Sequence, residues 1–315
     1  MAIGSGIASQ IGMKPEASWG TYIAPDRFFE FDEAESLKAN WRNLDTQGFG
    51  DVYLRSGRNR VWIAGASGTV PMPFMENGCG ILLKHMLGAA AAPTGSGPYT
   101  HVFTSSVAGL NTLSMTVQKG VPDTGGTVRP FSFVGGVVTE WNIICEIDQN
   151  VRLSTVWDFK DVTTAEALAT ASYPATNSPF SFIDGTCEID DVAVNITRCR
   201  LHGMNRFNVD RRSFGNTKRR QIPNGAIGFD GEIRMEFESL DEYNKFLAGT
   251  ESKLDLIFAY GTSSLTIEIP KIQYTGDTPV VESQDIVPLT LPFRVLYSGS
   301  GSPLTMTLVN DDATP

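Results

Sequence analysis

The stretch GFDGEIRMEF, residues 228–237, repeats the pattern of GASGTVPMPF, residues 65–74. Gly65, Gly68, Met72 and Phe74 recur as Gly228, Gly231, Met235 and Phe237, each pair 163 positions apart, and Val70 is answered by Ile233. In both copies the apolar residues alternate, the period of a strand with one buried face. A repeat should also preserve the order of elements around it. After Phe74 comes ENGCGILLKHMLG, where Cys79, Leu82, Leu83, Met86 and Leu87 fall at helical spacing before Gly88. After Phe237 comes ESLDEYNKFLAG, with Ser239 and Glu242 as an expected capping box, Leu240, Tyr243, Phe246 and Leu247 as the apolar stripe, and Gly249 as the stop.

Strand patterns follow both helices. NTLSMTVQK and VVTEWNIICEIDQNVRLSTVWDF come first, the latter read as a hairpin turning at Asp148, Gln149 and Asn150. KLDLIFAY, SLTIEIPKIQY and DIVPLTLPFRVLY fill the same places in the second half. Because proline lacks a ladder donor, TVPMPF and IVPLTLPF are expected at edges or bulges rather than mid-sheet. DVTTAEALATASYPATNSPF, about 160 to 180, has no sustained strand pattern and reads as a linker, dividing the chain into modules 1–165 and 166–315.

Composition agrees with a mostly β chain: 41% hydrophobic and 19% charged residues, with 31 Gly and 17 Pro among 315. The first twenty residues carry no basic start and apolar run of the secretory kind, so folding in a cytoplasm is expected; no apolar run approaches the length of a membrane helix. Cys79, Cys145, Cys187 and Cys199 are widely spaced among apolar neighbours and read as buried thiols. A zinc site from Cys187, Cys199 and His202 would lack a CxxC knuckle and a second histidine. With His85, His101 and His202 as its only histidines, and no GxSxG, Walker A, HExxH or helix-opening GxGxxG, the chain offers no catalytic set; no enzyme activity, metal or cofactor is expected. Glu30, Asp32, Glu33 and Glu35, or Asp190 and Asp191, lack calcium-loop spacing and read as solvated faces.

Charge is uneven. The net charge is −10, yet residues 198–220 hold Arg198, Arg200, Arg206, Arg211, Arg212, Lys218, Arg219 and Arg220 against Asp210 alone. Three readings stay open for this segment: a solvated loop, a nucleic-acid patch, or a protruding hairpin that pairs with acidic surface on a neighbouring subunit.

Taken in order, GIASQIGMKPEASWGTYIAPDRFFEF, GASGTVPMPF, GILLKHMLG, LSMTVQK, FVGGVVTEWNI and RVLYSGSGSPLTMTLVND resemble the major tail tube proteins of long-tailed phages over nearly the whole chain. The resemblance implies two tandem β-sandwich or barrel modules, each with one short flanking helix. It also implies rings that stack into a tube: trimeric and pseudo-hexameric for a two-module chain, with a hexamer as the alternative. Other tail proteins would meet the tube ends, DNA would pass through the lumen without specific binding, and no membrane would be involved. On this reading the inter-ring contacts are Arg206, Arg211, Arg212, Lys218, Arg219 and Arg220 of the second module and Arg55, Arg58 and Arg60 of the first. A β-sandwich module binding carbohydrate or protein on a virion surface is the alternative from another class.

Overall fold

Alternating apolar residues become paired strands along almost the whole length of the computed structural model, which describes residues 4–315 except 175, 224, 277, 280 and 282–285. The first half runs β1 (Gln10–Pro15), β2 (Arg27–Phe29), β3 (Lys38–Leu44), β4 (Arg60–Pro73), α1 (Gly80–Leu87), β5 (Gly88–Ala90), β6 (Tyr99–Ser105), α2 (Val107–Leu110), β7 (Met115–Pro122), β8 (Val128–Glu146), β9 (Arg152–Phe159) and β10 (Asp161–Thr163). The second runs β11 (Gly185–Ile189), β12 (Val192–Val194), β13 (Ile196–Met204), β14 (Gly228–Glu236), α3 (Asp241–Ala248), β15 (Glu251–Tyr260), β16 (Ser263–Tyr274), β17 (Pro288–Val295) and β18 (Thr305–Asn310).

All the strands join into one antiparallel network. One layer reads β3, β4, β9, β8, β13, β14, β17, β16 from neighbour to neighbour. The long β8 serves two layers: residues up to Gly136 pair with β7, and residues from Val137 onward pair with β9. The change happens at Gly135, whose φ of 66° suits a residue without Cβ. The halves are joined by β8 against β13 and by β6 against β18, and one buried core runs through both.

Registers recur between the halves. Gly68 lies opposite Trp157, and Gly231 opposite Phe293; Val138 lies opposite Trp157, and Tyr274 opposite Phe293. Val117 faces Phe133 as Leu254 faces Ile269, and the buried Ile11 and Met13 on β1 take the places that Cys187 and Ile189 take on β11.

Three expectations are modified. The proline strands β4 and β17 sit inside the layer, not at its rim, but the prolines occupy stretches laddered on one side: Pro71 and Pro73 pair with β9 beyond the reach of β3, and Pro288 and Pro292 with β14 below the start of the β16 pairing. A missing N–H there interrupts no second ladder. The capping box at Ser239 and Glu242 does not form: Ser239 Oγ accepts from the Asp241 N–H, while Glu242 takes the Tyr274 hydroxyl at 2.7 Å and Lys245 at 2.8 Å. The stretch read as a linker is tied down. Its β10 pairs with β8, Gln118 and Gln10 bond the backbone of Ala167 and Ala169, and Phe180 is buried against Phe74. Side-chain amides there do for the backbone what a ladder does elsewhere.

Candidate assembly surfaces

The two basic segments occupy matching positions, one connecting β3 to β4 and the other β13 to β14, but they behave differently. In the first, Asp51 accepts from both Arg55 and Arg58 at 2.5 Å, clamping the loop on itself. Its tip presents Phe49, Val52 and Tyr53 at 112, 80 and 82% exposure, and Arg60 is exposed at the start of β4.

The second, 205–227, holds no strand among its described residues and so is not the hairpin expected. It folds back across the first half. Arg219 is 4% exposed and ion-pairs with Asp158 on β9, Lys218 ion-pairs with Asp161, and Arg212 Nη2 reaches the Ala64 carbonyl at 3.3 Å. Phe207 and Ile222 pack with Leu110 and Val137 beneath it. The physical reason is Asp158: a carboxylate on β9 that is only 7% exposed requires a counter-charge, and a guanidinium is the least hydrated one available. Burial pulls the Arg219 pKa below its ordinary value. Arg211 is exposed while closing the loop onto the Gln221 carbonyl at 2.7 Å, and Arg206 and Arg220 are exposed as well. Lys218, Arg219 and Arg212 are thus spent on the fold, whereas Arg206, Arg211 and Arg220 face outward.

The junction between the halves is chemically dense. Along β8 and β13, Cys145 faces Cys199, Trp141 faces Gly203 and Asn142 faces His202. Arg198 forms an ion pair with Glu146, Nε 2.7 Å from the carboxylate, and His202 Nδ1 lies 3.1 Å from Asp230. Burial pushes the Cys79, Cys187 and Cys199 thiols up to about 12 and Cys145 to about 11, so all four are poor nucleophiles and poor ligands. Among the described residues the group that converges at metal-ligand distances is Glu188, Asp191 and Asp255, not the Cys187, Cys199 and His202 set, and Lys253 Nζ stands 2.7 Å from Asp191 and 2.8 Å from Asp255.

Three organising residues had no motif to mark them. Glu16 accepts from the Gly20 and Gly135 N–H groups at 2.6 and 2.7 Å, and from the Ser114 and Thr116 hydroxyls at 2.7 and 3.0 Å. Asn205, fully buried, donates to the Met86 and Val138 carbonyls at 3.1 and 2.8 Å, tying the second half to α1. Asp312 accepts from the Gly78 N–H at 2.7 Å and from Arg27 at 3.3 Å, tying the C-terminal tail to the turn before α1 and to β2. Half-buried carboxylates such as Glu16 and Asp312, and a buried amide such as Asn205, are legible in a sequence only once their partners are known.

Such a surface, with clamped loops and outward-facing cations, suits assembly. The chain matches the phage tail tube protein family over residues 6–295. It belongs to that family. No curated protein matches it. Membership makes it a structural component of the phage tail, expected to self-assemble into a tube, and its β-rich fold is in keeping. Among the described residues of this tail tube protein no helix is long and apolar enough to cross a membrane.

Proposed function

We propose that this chain is the repeating subunit of a tail tube through which the genome is ejected, and that it is built of two tandem modules, residues 1–165 and 166–315. Three chains close into a pseudo-sixfold ring, with a ring of six two-module chains as the alternative. The observation that carries the reading is recurrent pairing. The pairs β1–β7, β3–β4, β4–β9, β7–β8, β8–β9 and β8–β10 have counterparts in β11–β15, β13–β14, β14–β17, β15–β16, β16–β17 and β16–β18, in the same chain order. A net charge of −10 suits a wall that must not trap DNA. Synthesis in the host cytoplasm and contacts with other tail proteins at the tube ends complete the reading.

Rings stack through the two loops. Arg206, Arg211 and Arg220 of one loop, and Arg55, Arg58 and Arg60 with the apolar tip of the other, supply the contact, and charge complementarity fixes its register. Deleting the second loop would break the Arg219–Asp158 pair, so the exposed cations are the better targets. Arg206→Ala, Arg211→Ala and Arg220→Ala combined should leave rings that no longer stack in electron micrographs, and subunit counting in class averages reports the stoichiometry. Full-length tubes from the triple variant would defeat the loop assignment.

A further inference from the structure

The Asn77–Gly78 step, in the turn before α1, is surrounded by the groups that its own cyclisation requires. In an Asn–Gly pair the following backbone nitrogen reaches the side-chain carbonyl carbon most easily, because glycine puts no Cβ in the way. Gly78 has a φ of 91°, and the space beside it is open: the nearest atom to a Cβ placed there belongs to Phe29, 4.0 Å away. Asn77 and Gly78 are half-buried and line a groove of about 280 Å³ together with Arg27, Asn177 and Asp312, room enough for water.

Hydrogen bonds from Asn177 and from the C-terminal tail bear on the reacting atoms. The Gly78 N–H donates to Asp312 Oδ2 at 2.7 Å, which sets a base on the proton that has to leave. Asn177 Nδ2 donates to the Asn77 backbone carbonyl at 3.2 Å, favouring the negative charge that a deprotonated peptide spreads onto that oxygen, and Asn177 Oδ1 takes the Asn77 N–H at 3.0 Å, so the residue is held from both sides. The Asp311 N–H donates to Asn77 Oδ1 at 3.2 Å, facing the oxygen on which charge gathers during attack. An N–H bond lies in the peptide plane whereas attack comes from its face, so the bond to Asp312 does not hold the nitrogen back from Cγ. Arg27, 3.3 Å from the same carboxylate oxygen, keeps that carboxylate in place.

We propose that Asn77–Gly78 is a self-modification site, at which the Gly78 nitrogen attacks Asn77 Cγ with Asp312 as the base, and water then opens the cyclic imide to aspartate or isoaspartate. The N–Cγ bond forms as the Gly78 proton passes to Asp312. The Cγ–Nδ2 bond then breaks, the proton goes to the departing nitrogen, and ammonia leaves. Water adds to either imide carbonyl, and no electrons are transferred. Isoaspartate routes the backbone through the former side chain and lengthens it before Gly78. The Gly78 N–H then no longer meets Asp312, and the tail whose Pro315 sits on Gly80 loses a tie to the start of α1.

Full-length protein kept folded at neutral pH, then digested and mapped by mass spectrometry, should gain aspartate and isoaspartate at position 77 about tenfold faster than the same chain unfolded in urea. Asp312→Asn retains an acceptor for the Gly78 N–H but is no base; checked as folded by circular dichroism, it should convert about tenfold more slowly than wild type. A contact that only stiffened the turn has the opposite signs, since folding would then slow the conversion and loss of the Asp312 charge would speed it. A folded wild-type rate no higher than the unfolded rate, or an Asp312→Asn rate no lower than wild type, would overturn the proposal. Should Asp312→Asn fail to fold, the wild-type comparison decides by itself.

Discussion

Replacing Gly203 by Ala tests whether the two halves are held together by one aromatic ring on one glycine. The added Cβ would stand 2.2 to 2.4 Å from three atoms of the Trp141 indole, which is itself fully buried against Phe229 with ring centroids 5.9 Å apart. Ordinary contact needs about 1 Å more, and a close-packed core yields that only by moving the ring, at a cost of roughly 1–3 kcal/mol. Trp141→Ala removes the ring and should cost about 3–5 kcal/mol. In that background the Gly203→Ala penalty should vanish, because nothing remains to clash and alanine loses less chain entropy than glycine on entering a strand. Equilibrium urea unfolding of the unassembled protein, followed by circular dichroism, gives the four midpoints of the cycle. A coupling energy of about 1–3 kcal/mol is expected. Additivity within about 0.5 kcal/mol would refute the reasoning, since the two positions would then not share a contact.

Stability should also depend on His85. Burial drives its pKa down from 6.5 to about 4, and with Nδ1 donating to the Ile81 carbonyl at 2.8 Å the ring is held neutral. The unfolded chain therefore binds the proton first, so stability falls as pH drops from 6.5 toward 4 and levels off below, a loss on the order of 3 kcal/mol that His85→Leu should flatten in thermal melts against pH. Asp312→Ala should free the C-terminal tail from Gly78 and Arg27 at about 1–3 kcal/mol, seen as faster proteolysis at the C-terminus, while unchanged proteolysis would count against the staple.

Much of the fold is legible in period and punctuation. Alternation in 228–237 and 65–74 marks β14 and β4, and helical spacing closed by Gly88 and Gly249 marks α1 and α3 with their left-handed ends. Those signals are local: side-chain direction along a strand and the φ a residue tolerates depend on neighbours in the chain. The candidate site was less legible. All the cations of 206–220 look alike in sequence, and only the position of Asp158 on β9 separates the buried Arg219 from the exposed Arg206, Arg211 and Arg220. The stripe of α3 likewise resembles that of α1, yet Leu247 is exposed where Met86 is buried, because burial is decided by what lies opposite.

By itself the sequence determined the β class, the places of the repeated strand and its following helix, and the absence of a recognisable catalytic motif, since each is written in spacing and residue type. The tertiary structure alone decided that β8 lies beside β13, that Trp141 rests on Gly203, and that β3 pairs with β4 alone among the described residues. Strand pairing joins residues far apart along the chain, and any alternating strand can satisfy its backbone against many others. The choice is made by long-range packing, where a ring of one size meets a glycine that leaves room for it.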